Sequence, residues 1–331
     1  MNISPESQAE PPLQGVKYLQ LLGSLLTDLH QCGTQRDRAG HRQLFYDQYA
    51  LLLLLYFFNP TVTSLRGLQR ITDLDKVRHL GIHRTSLGSL SEAQQVFDAA
   101  LLEKVIAELA RRLPTPTLSA GLSALLPLTA VDGSLLPALP RMAWALWQDD
   151  QHWAAKLHVA FAVFKANPVA VSVTAGTGSE RAALRRFMQP GGFYVFDRGY
   201  TDYALFQTLH EQTCSFVGRV KANVVYEVGR ERPITPTASL AGVIRDVELS
   251  SLGSAYPSSP LPQPFRLAWV DIGKRRADGR AETLILITSR LNMDVDLIAL
   301  AYRYRWTVEL FFRWLKCALG CRHLLCQTAN G

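Results

Sequence analysis

The chain has 331 residues, 48% hydrophobic and 19% charged, a balance that supports a sizeable buried core and excludes overall disorder. At roughly 150 residues per domain, this length suits two or three domains. Lys and Arg number 35 against 28 Asp and Glu, and the net charge of +7 suits a nucleic-acid or other acidic partner.

The first residues, MNISPESQAEPPLQG, carry no basic start and no apolar stretch, so no secretory signal is expected. Residues 1–15 read as a flexible tail. The longest apolar run, Tyr49 to Phe58, has ten residues. A membrane span needs about 20, so the run reads as a buried core helix and no membrane is expected as a partner. Five cysteines, an odd number without a secretory signal, read as reduced thiols in a cytoplasmic protein. Cys317, Cys321, His323 and Cys326 invite a zinc reading, but their C-x3-C-x-H-x2-C spacing matches no common zinc pattern, and incidental thiols are the better account.

Residues 16–113 read as an all-helical N-terminal domain. Leu19, Leu22, Leu25, Leu26 and Leu29 recur at helical spacing, and Asn59-Pro60 breaks the pattern. The segment 66–84 holds Arg66, Arg70, Lys76, Arg78 and Arg84 against Asp73 and Asp75. Such a helical pair could track DNA phosphates, and it reads equally well as a solvated face. Pro114 and Pro116 mark a linker.

From residue 122 the texture changes to strands. Leu125–Asp132 and Gly192–Asp197 read as buried strands that each end on an aspartate. Lys156–Lys165 and Val169–Thr174 read as strands around a turn at Ala166-Asn167-Pro168. Glu180–Met188 and Tyr203–Gln212 read as helices, and Cys214–Val220 as a strand. Residues 221–290, rich in Pro, Ser and short strands, read as a separate β-rich insertion, with Leu267–Ile272 and Thr283–Thr288 flanking a turn at Ala277-Asp278-Gly279. Helix returns at Met293–Leu319. This order predicts an α/β fold: a ribonuclease-H-like mixed sheet spanning 122–331, with the insertion, after the helical domain.

Strand ends are where open α/β sheets place their sites, and Asp132 and Asp197 are candidate ligands for a hard divalent cation. An aspartate after a strand is also an ordinary turn or helix cap. At about 100° per residue, Tyr302, Arg305, Glu309 and Lys316 share one narrow stripe of the last helix. Tyr304, Val308, Phe311, Leu315 and Ala318 fall opposite and are expected to face the core. Glu309 alone would read as a surface ion pair with Arg305 or Arg313. With the two aspartates it makes a three-carboxylate set, expected to converge on two metal ions about 3.5–4 Å apart that cleave a phosphodiester. A general metal-dependent nuclease would fit the carboxylates but leave the Tyr/Arg/Lys stripe without a task.

The spacing Tyr302-x2-Arg305-x3-Glu309-x6-Lys316 resembles the Y-x2-R-x3-E-x6-K signature of IS4-family transposases, also called transposase family 11. VDGS at 131–134 and FDRGYTDYALF at 196–206 resemble that family's first and second aspartate motifs. KLHVAF at 156–161 and SLSEAQQVFD at 89–98 also resemble family sequence, and the likeness spans residues 15–331.

The resemblance implies a DDE transposase of an insertion sequence, an enzyme that cleaves DNA at the element ends and joins the 3′-hydroxyl to target DNA. It implies Asp132, Asp197 and Glu309 as catalytic metal ligands for two Mg²⁺, with Mn²⁺ as a substitute. Tyr302, Arg305, Lys316 and Arg198 are implied as DNA contacts. The implied partners are double-stranded DNA, as inverted-repeat ends and target, and a second copy of the chain in a homodimer on DNA. The implied setting is the bacterial nucleoid. A β-rich insertion between the second aspartate and the glutamate is a family feature, and 112 residues separate Asp197 from Glu309. Family members continue well past the glutamate helix, whereas Gly331 lies 22 residues beyond Glu309. A truncated copy is therefore expected. The alternative function is that of a catalytically impaired DNA-binding relative that regulates a full-length transposase.

Overall fold

The computed structural model describes residues 13–32, 37, 39–138, 142–145, 153–253, 265–275, 279 and 281–321. The chain divides into two compact units, one comprising Met1–Val105, Leu139–Trp144 and Leu315–Gly331, the other Ile106–Ala138 and Ala145–Trp314.

The first unit is helical among its described residues. Helices α1 (Val16–His30) and α2 (Tyr46–Phe58) are followed by α3 (Leu65–Ile71), α4 (Asp75–Arg78), α5 (Leu87–Val96) and α6 (Ala100–Arg112), the last crossing into the second unit. The leucine spacing of α1 buries Leu19, Leu26 and Leu29. The long apolar run lies on α2, whose Leu52 and Leu55 are fully buried. That helix stops at Asn59, because the Asn59 amide folds back to donate to the Leu55 carbonyl at 2.7 Å. No helix among the described residues is long and apolar enough to cross a membrane. Arg66, Arg70, Lys76, Arg78 and Arg84 are all exposed, and Arg78 and Arg84 pair loosely with Asp75 and Asp73.

The second unit is built on one nine-stranded sheet. After α7 (Ala120–Ser123) come β1 (Leu128–Pro137), β2 (Ala154–Ala162), β3 (Asn167–Ala175), α8 (Glu180–Phe187), β4 (Phe193–Phe196), a 3-10 turn at Arg198–Tyr200, α9 (Tyr203–Glu211) and β5 (Ser215–Val220). Then follow β6 (Tyr226–Glu231), α10 (Pro236–Leu240), β7 (Val243–Leu252), β8 (Arg266–Arg275), β9 (Ala281–Thr288), α11 (Val295–Tyr304) and α12 (Trp306–Cys317). The strand order is β3-β2-β1-β4-β5-β9-β8-β7-β6. The sheet is mostly antiparallel, and only the pairs β1–β4 and β4–β5 run parallel.

Successive strand residues point to opposite faces, so the apolar strands build two cores. Ala130, Val159, Phe193, Val195 and Val217 face α11 and α12, packing with Ile298, Ala301 and Val308. Val131, Ala160, Tyr194, Phe196 and Phe216 face α8 and α9, packing with Leu184, Leu205 and Phe206.

Four expectations need correction. The first strand does not end on Asp132 but continues to Pro137, because its antiparallel ladder with β2 extends that far. The turn between β2 and β3 falls at 163–166, and Asn167 and Pro168 already belong to β3. The C-terminal helix is not continuous: α11 ends at Tyr304, and the chain turns at Arg305 before α12.

The fourth correction concerns residues 221–290, which are rich in strand but do not form a separate body. β5 pairs with β4 on one side only, and β9 covers its open edge. β8, β7 and β6 then extend the same sheet, and apolar residues of β7, β8 and β9 enter both cores, Ala268 and Leu286 on one face and Leu267, Val247 and Ile287 on the other. Ala277 and Asp278 of the expected turn lie outside the described residues, as do His323 and Cys326. Cys321 falls beyond the end of α12 rather than on it.

A buried ion pair ties this extension to the start of α11. The Arg266 guanidinium meets the Asp246 carboxylate through two bonds, Nε to Oδ1 at 2.6 Å and Nη2 to Oδ2 at 2.5 Å. Its remaining Nη1 donates to the carbonyls of Leu291 at 3.0 Å and Met293 at 2.5 Å, just before α11. Both side chains are almost fully buried, so removing one partner strands a charge. Arg266→Ala is expected to lower stability by about 3–5 kcal/mol in urea unfolding, and a variant as stable as the parent would remove this role.

Candidate active site

Asp132 and Asp197 are brought together by strand pairing. In the parallel ladder Ala130 stands opposite Val195, so continuing the register sets Asp132 beside Asp197. By alternation both lie on the α11/α12 side of the sheet, the side of Ala130 and Val195. β4 ends at Phe196, so the pair sits where β1 loses its parallel neighbour.

The junction of α11 and α12 lies over them. The Tyr302 hydroxyl donates to Asp197 Oδ1 at 2.9 Å. Arg305 Nη1 lies 2.6 Å from Glu309 Oε1 and 3.7 Å from Asp132 Oδ2. Its guanidinium carbon is 5.6 Å from the Tyr302 ring centre and 5.9 Å from that of Trp306. Arg305 is 7% exposed and its Nε has no partner. Tyr302 is 5% exposed and belongs to the core. Tyr302 and Arg305 of the stripe read from the helical wheel are therefore buried rather than presented at a surface, because they find carboxylates inside, while Glu309 is half-buried. Opposite it, Phe311 packs on Phe161 and Tyr304 on Phe164, whereas Ala318 is exposed. Lys316 is half-buried on the last turn of α12, about two turns beyond Glu309. Arg198 is exposed, and its backbone N–H reaches the Asp197 carboxylate.

The two aspartates are electrostatically unlike. Burial pushes the Asp132 carboxyl up to about 6, against the Gly133 amide, which donates to Oδ1 at 2.8 Å, and the Arg305 charge. Burial also acts upward on Asp197, but the Arg198 amide, the Tyr302 hydroxyl and the Arg305 and Arg219 charges outweigh it and hold the carboxyl below its ordinary value. Burial first, and the Asp197 charge second, push the Tyr302 hydroxyl up to about 12, so it remains a donor at neutral pH.

Several residues were missed in the sequence. Arg219 lies 3.8 Å from Asp197 and shares a face of β5 with Val217, a position that strict alternation predicts. With Tyr302, Arg303, Arg305 and Trp306 it lines a cleft of about 590 Å³, and with Arg198 and Lys221 a smaller one of about 320 Å³. On the other face of β1, Lys156 pairs with Glu180 at 2.9 Å beside His158. Burial and the Lys156 charge hold the His158 imidazole down to about 4. Lys156 and His158 recur at period two in KLHVAF, polar positions in a strand that otherwise reads as buried.

Carboxylate oxygens are the ligands hard divalent cations take, and Asp132 and Asp197 supply that chemistry. Glu309 is held against Arg305 here. Among the described residues no three His, Cys, Asp or Glu side chains gather to hold a metal, so the expected three-carboxylate cage is not formed. The physical reason is the Arg305 guanidinium, which takes the place between Glu309 and Asp132.

The Transposase DDE domain family matches residues 124–331, and the chain belongs to it. A protein of Sinorhizobium fredii named "Putative transposase y4zB" is 30% identical over 207 residues, covering 61% of this chain and 55% of that protein. The "Probable transposase for insertion sequence element IS5377" of Geobacillus stearothermophilus is 26% identical over 205 residues, covering 62% of this chain and 52% of that protein. The matches thus span about half the length of these curated relatives. A solved synaptic complex of piggyBac transposase with hairpin DNA aligns with 91% of this chain and 68% of its own, at 11% identity and a TM-score of 0.45.

The Asp132 shift makes a signed prediction. An acid whose folded value lies above its unfolded one is most favourable to the fold while protonated. That contribution is present below about pH 4 and lost as pH rises towards 6. Asp132→Asn mimics the protonated form. It should match the parent at pH 4 and exceed it by about 1–3 kcal/mol at pH 7, measured by chemical unfolding at both values. A destabilised Asn variant at pH 7 would contradict the burial account.

Proposed function

We propose that the chain is a DDE DNA transposase of an IS4-type insertion sequence, which cleaves phosphodiesters at the element ends and transfers the strand to target DNA. The observation that carries this reading is the meeting of Asp132 and Asp197, at neighbouring register positions of β1 and β4, with Tyr302, Arg305 and Glu309 from the α11–α12 junction. Family membership and the names of the curated relatives support it. So does the strand order β3-β2-β1-β4-β5, which suits a ribonuclease-H-like core.

Asp132, Asp197 and Glu309 against Arg305 and Arg219 leave one net negative charge when all are ionised. A DNA phosphate entering this cluster would meet repulsion. Asp132 and Asp197, with Glu309, would hold Mg²⁺ or Mn²⁺, which supplies positive charge at the reacting phosphate and lowers the pKa of an attacking water or 3′-hydroxyl. The Arg198 amide, the Tyr302 hydroxyl and the Arg305 and Arg219 charges together favour the ionised form of Asp197. Arg305 has an unused Nε donor and a planar guanidinium suited to a phosphate. Arg198 and Arg219 would add cations beside the cluster. The exposed basic residues of 66–84 would contact DNA ends as phosphate neutralisers, each worth about one unit of salt slope.

The test uses duplexes carrying the gene's own flanking DNA. Asp132→Ala, Asp197→Ala and Glu309→Ala should each abolish Mg²⁺-dependent cleavage while binding in gel shift largely persists, since cations dominate affinity for phosphate. Cleavage by Asp132→Ala at the parental rate would end the DDE assignment. Replacing Arg66, Arg70 and Lys76 together by Gln should lower the slope of log affinity against log salt by about 3, and an unchanged slope would mean these residues form a solvated face.

A further inference from the structure

Behind the aspartates, on the α8 side of the sheet, lies a second cluster of buried polar groups. Glu180 opens α8, with Ser179 capping the helix through its hydroxyl. Its carboxylate pairs with Lys156 at 2.9 Å, and the two side chains are 25% and 17% exposed. Around it stand His158, fully buried, and Tyr200, 1% exposed. Neither His158 Nδ1 nor the Tyr200 hydroxyl has a hydrogen-bond partner.

Two glycines define the fit. A Cβ on Gly133 would stand 3.3 Å from Glu180 Oε1 and 3.4 Å from His158 Nδ1. A Cβ on Gly199 would stand 2.8 Å from Glu180 Oε2, closer than real Cβ contacts come. One oxygen of Glu180 therefore rests against the strand residue that follows Asp132. The other rests against the 3-10 turn that follows Asp197. The two backbone segments that carry the aspartates thus both lie beside the same carboxylate, and a Cβ on either would crowd one of its oxygens. That carboxylate is itself anchored by Lys156 of β2, the strand that pairs with β1.

We propose that Glu180 is a positioning residue: clasped between Gly133 and Gly199 and held by Lys156, it sets the separation of the β1 backbone from the Asp197 turn, and so the spacing of the two metal-binding aspartates. The proposal rests on the catalytic reading above. It assigns a task to the glycines of VDGS and FDRGY. Each admits the carboxylate where a side chain would displace it. It also gives a task to the half-buried Lys156–Glu180 pair on the face of β1 away from the aspartates.

The experiment is a double-mutant cycle on the full chain, with Glu180→Asp and Gly199→Ala made singly and together. Three quantities are read: urea stability, Mn²⁺ affinity by titration calorimetry, and cleavage of the flanking-DNA duplex. Gly199→Ala should weaken Mn²⁺ binding at least about 5-fold and slow cleavage about 10–100-fold, with DNA affinity unchanged, a scale set by small misplacements at reacting centres. In the double variant the shorter Glu180→Asp side chain withdraws from the added methyl, so both losses should shrink by at least about 3-fold relative to Gly199→Ala alone. Folded Gly199→Ala protein with parental Mn²⁺ affinity and cleavage overturns the proposal. So does coupling seen in stability but absent from both functional readouts, which would make the contact purely structural. A parental chain that neither binds Mn²⁺ nor cleaves sinks the catalytic reading and the positioning role together. A parental chain that does either, with no effect at position 199, sinks the positioning role alone.

Discussion

The buried guanidinium of Arg305 is the interaction on which the candidate site depends. A charge at 7% exposure persists only with close counter-charges, and Arg305 has Glu309 at 2.6 Å and Asp132 at 3.7 Å. Those partners come from α12 and from β1, so one cation holds the helical layer to the sheet at the end of the parallel ladder. The turn between α11 and α12 falls on this residue. It lets Tyr302 reach Asp197 from α11 while Glu309 approaches from α12.

The sheet makes that meeting possible. Its two parallel pairings set Asp132 and Asp197 at adjacent register positions, and alternation sends both to the face that α11 and α12 cover. The antiparallel strands β9 to β6 complete the far side and carry the Arg266–Asp246 pair. Arg266 in turn holds the carbonyls of Leu291 and Met293, so the direction in which α11 sets out is fixed by a bond inside the sheet extension. The β-rich segment thus supports the helix that brings Tyr302 to the site.

The two faces of β1 serve different ends within a few residues. Asp132 lies on the face that α11 and α12 cover, and Gly133 leaves room for Glu180 on the other side. The unlike carboxyls follow from their surroundings. Asp197 has an amide, a hydroxyl and two guanidinium groups to offset its burial, while Asp132 has one amide and the Arg305 charge, with the Glu180 and Glu309 charges acting against them. Two acids beside one guanidinium thus shift in opposite directions, because burial dominates at one and bonded donors at the other.

Much of this was legible in the residues. Leucine spacing located α1, the apolar run located α2, and Asn59 marked its end, since these patterns follow from local periodicity and capping. The strands around Asp132 and Asp197, the helices at Glu180 and Tyr203 and the Tyr/Arg/Glu/Lys spacing were read the same way. Tertiary structure decided the rest. How far β1 runs past Asp132 depends on its ladder with β2, and the fate of residues 221–290 depends on the open edge of β5, neither of which local pattern encodes. The wheel put Tyr302, Arg305 and Glu309 on one stripe, but the partners that let Tyr302 and Arg305 be buried, Asp197 and Asp132, are distant in sequence. Arg219, Glu180 and the glycines that receive it became visible when the strands were paired, because their roles are contacts across the sheet rather than features of any one segment.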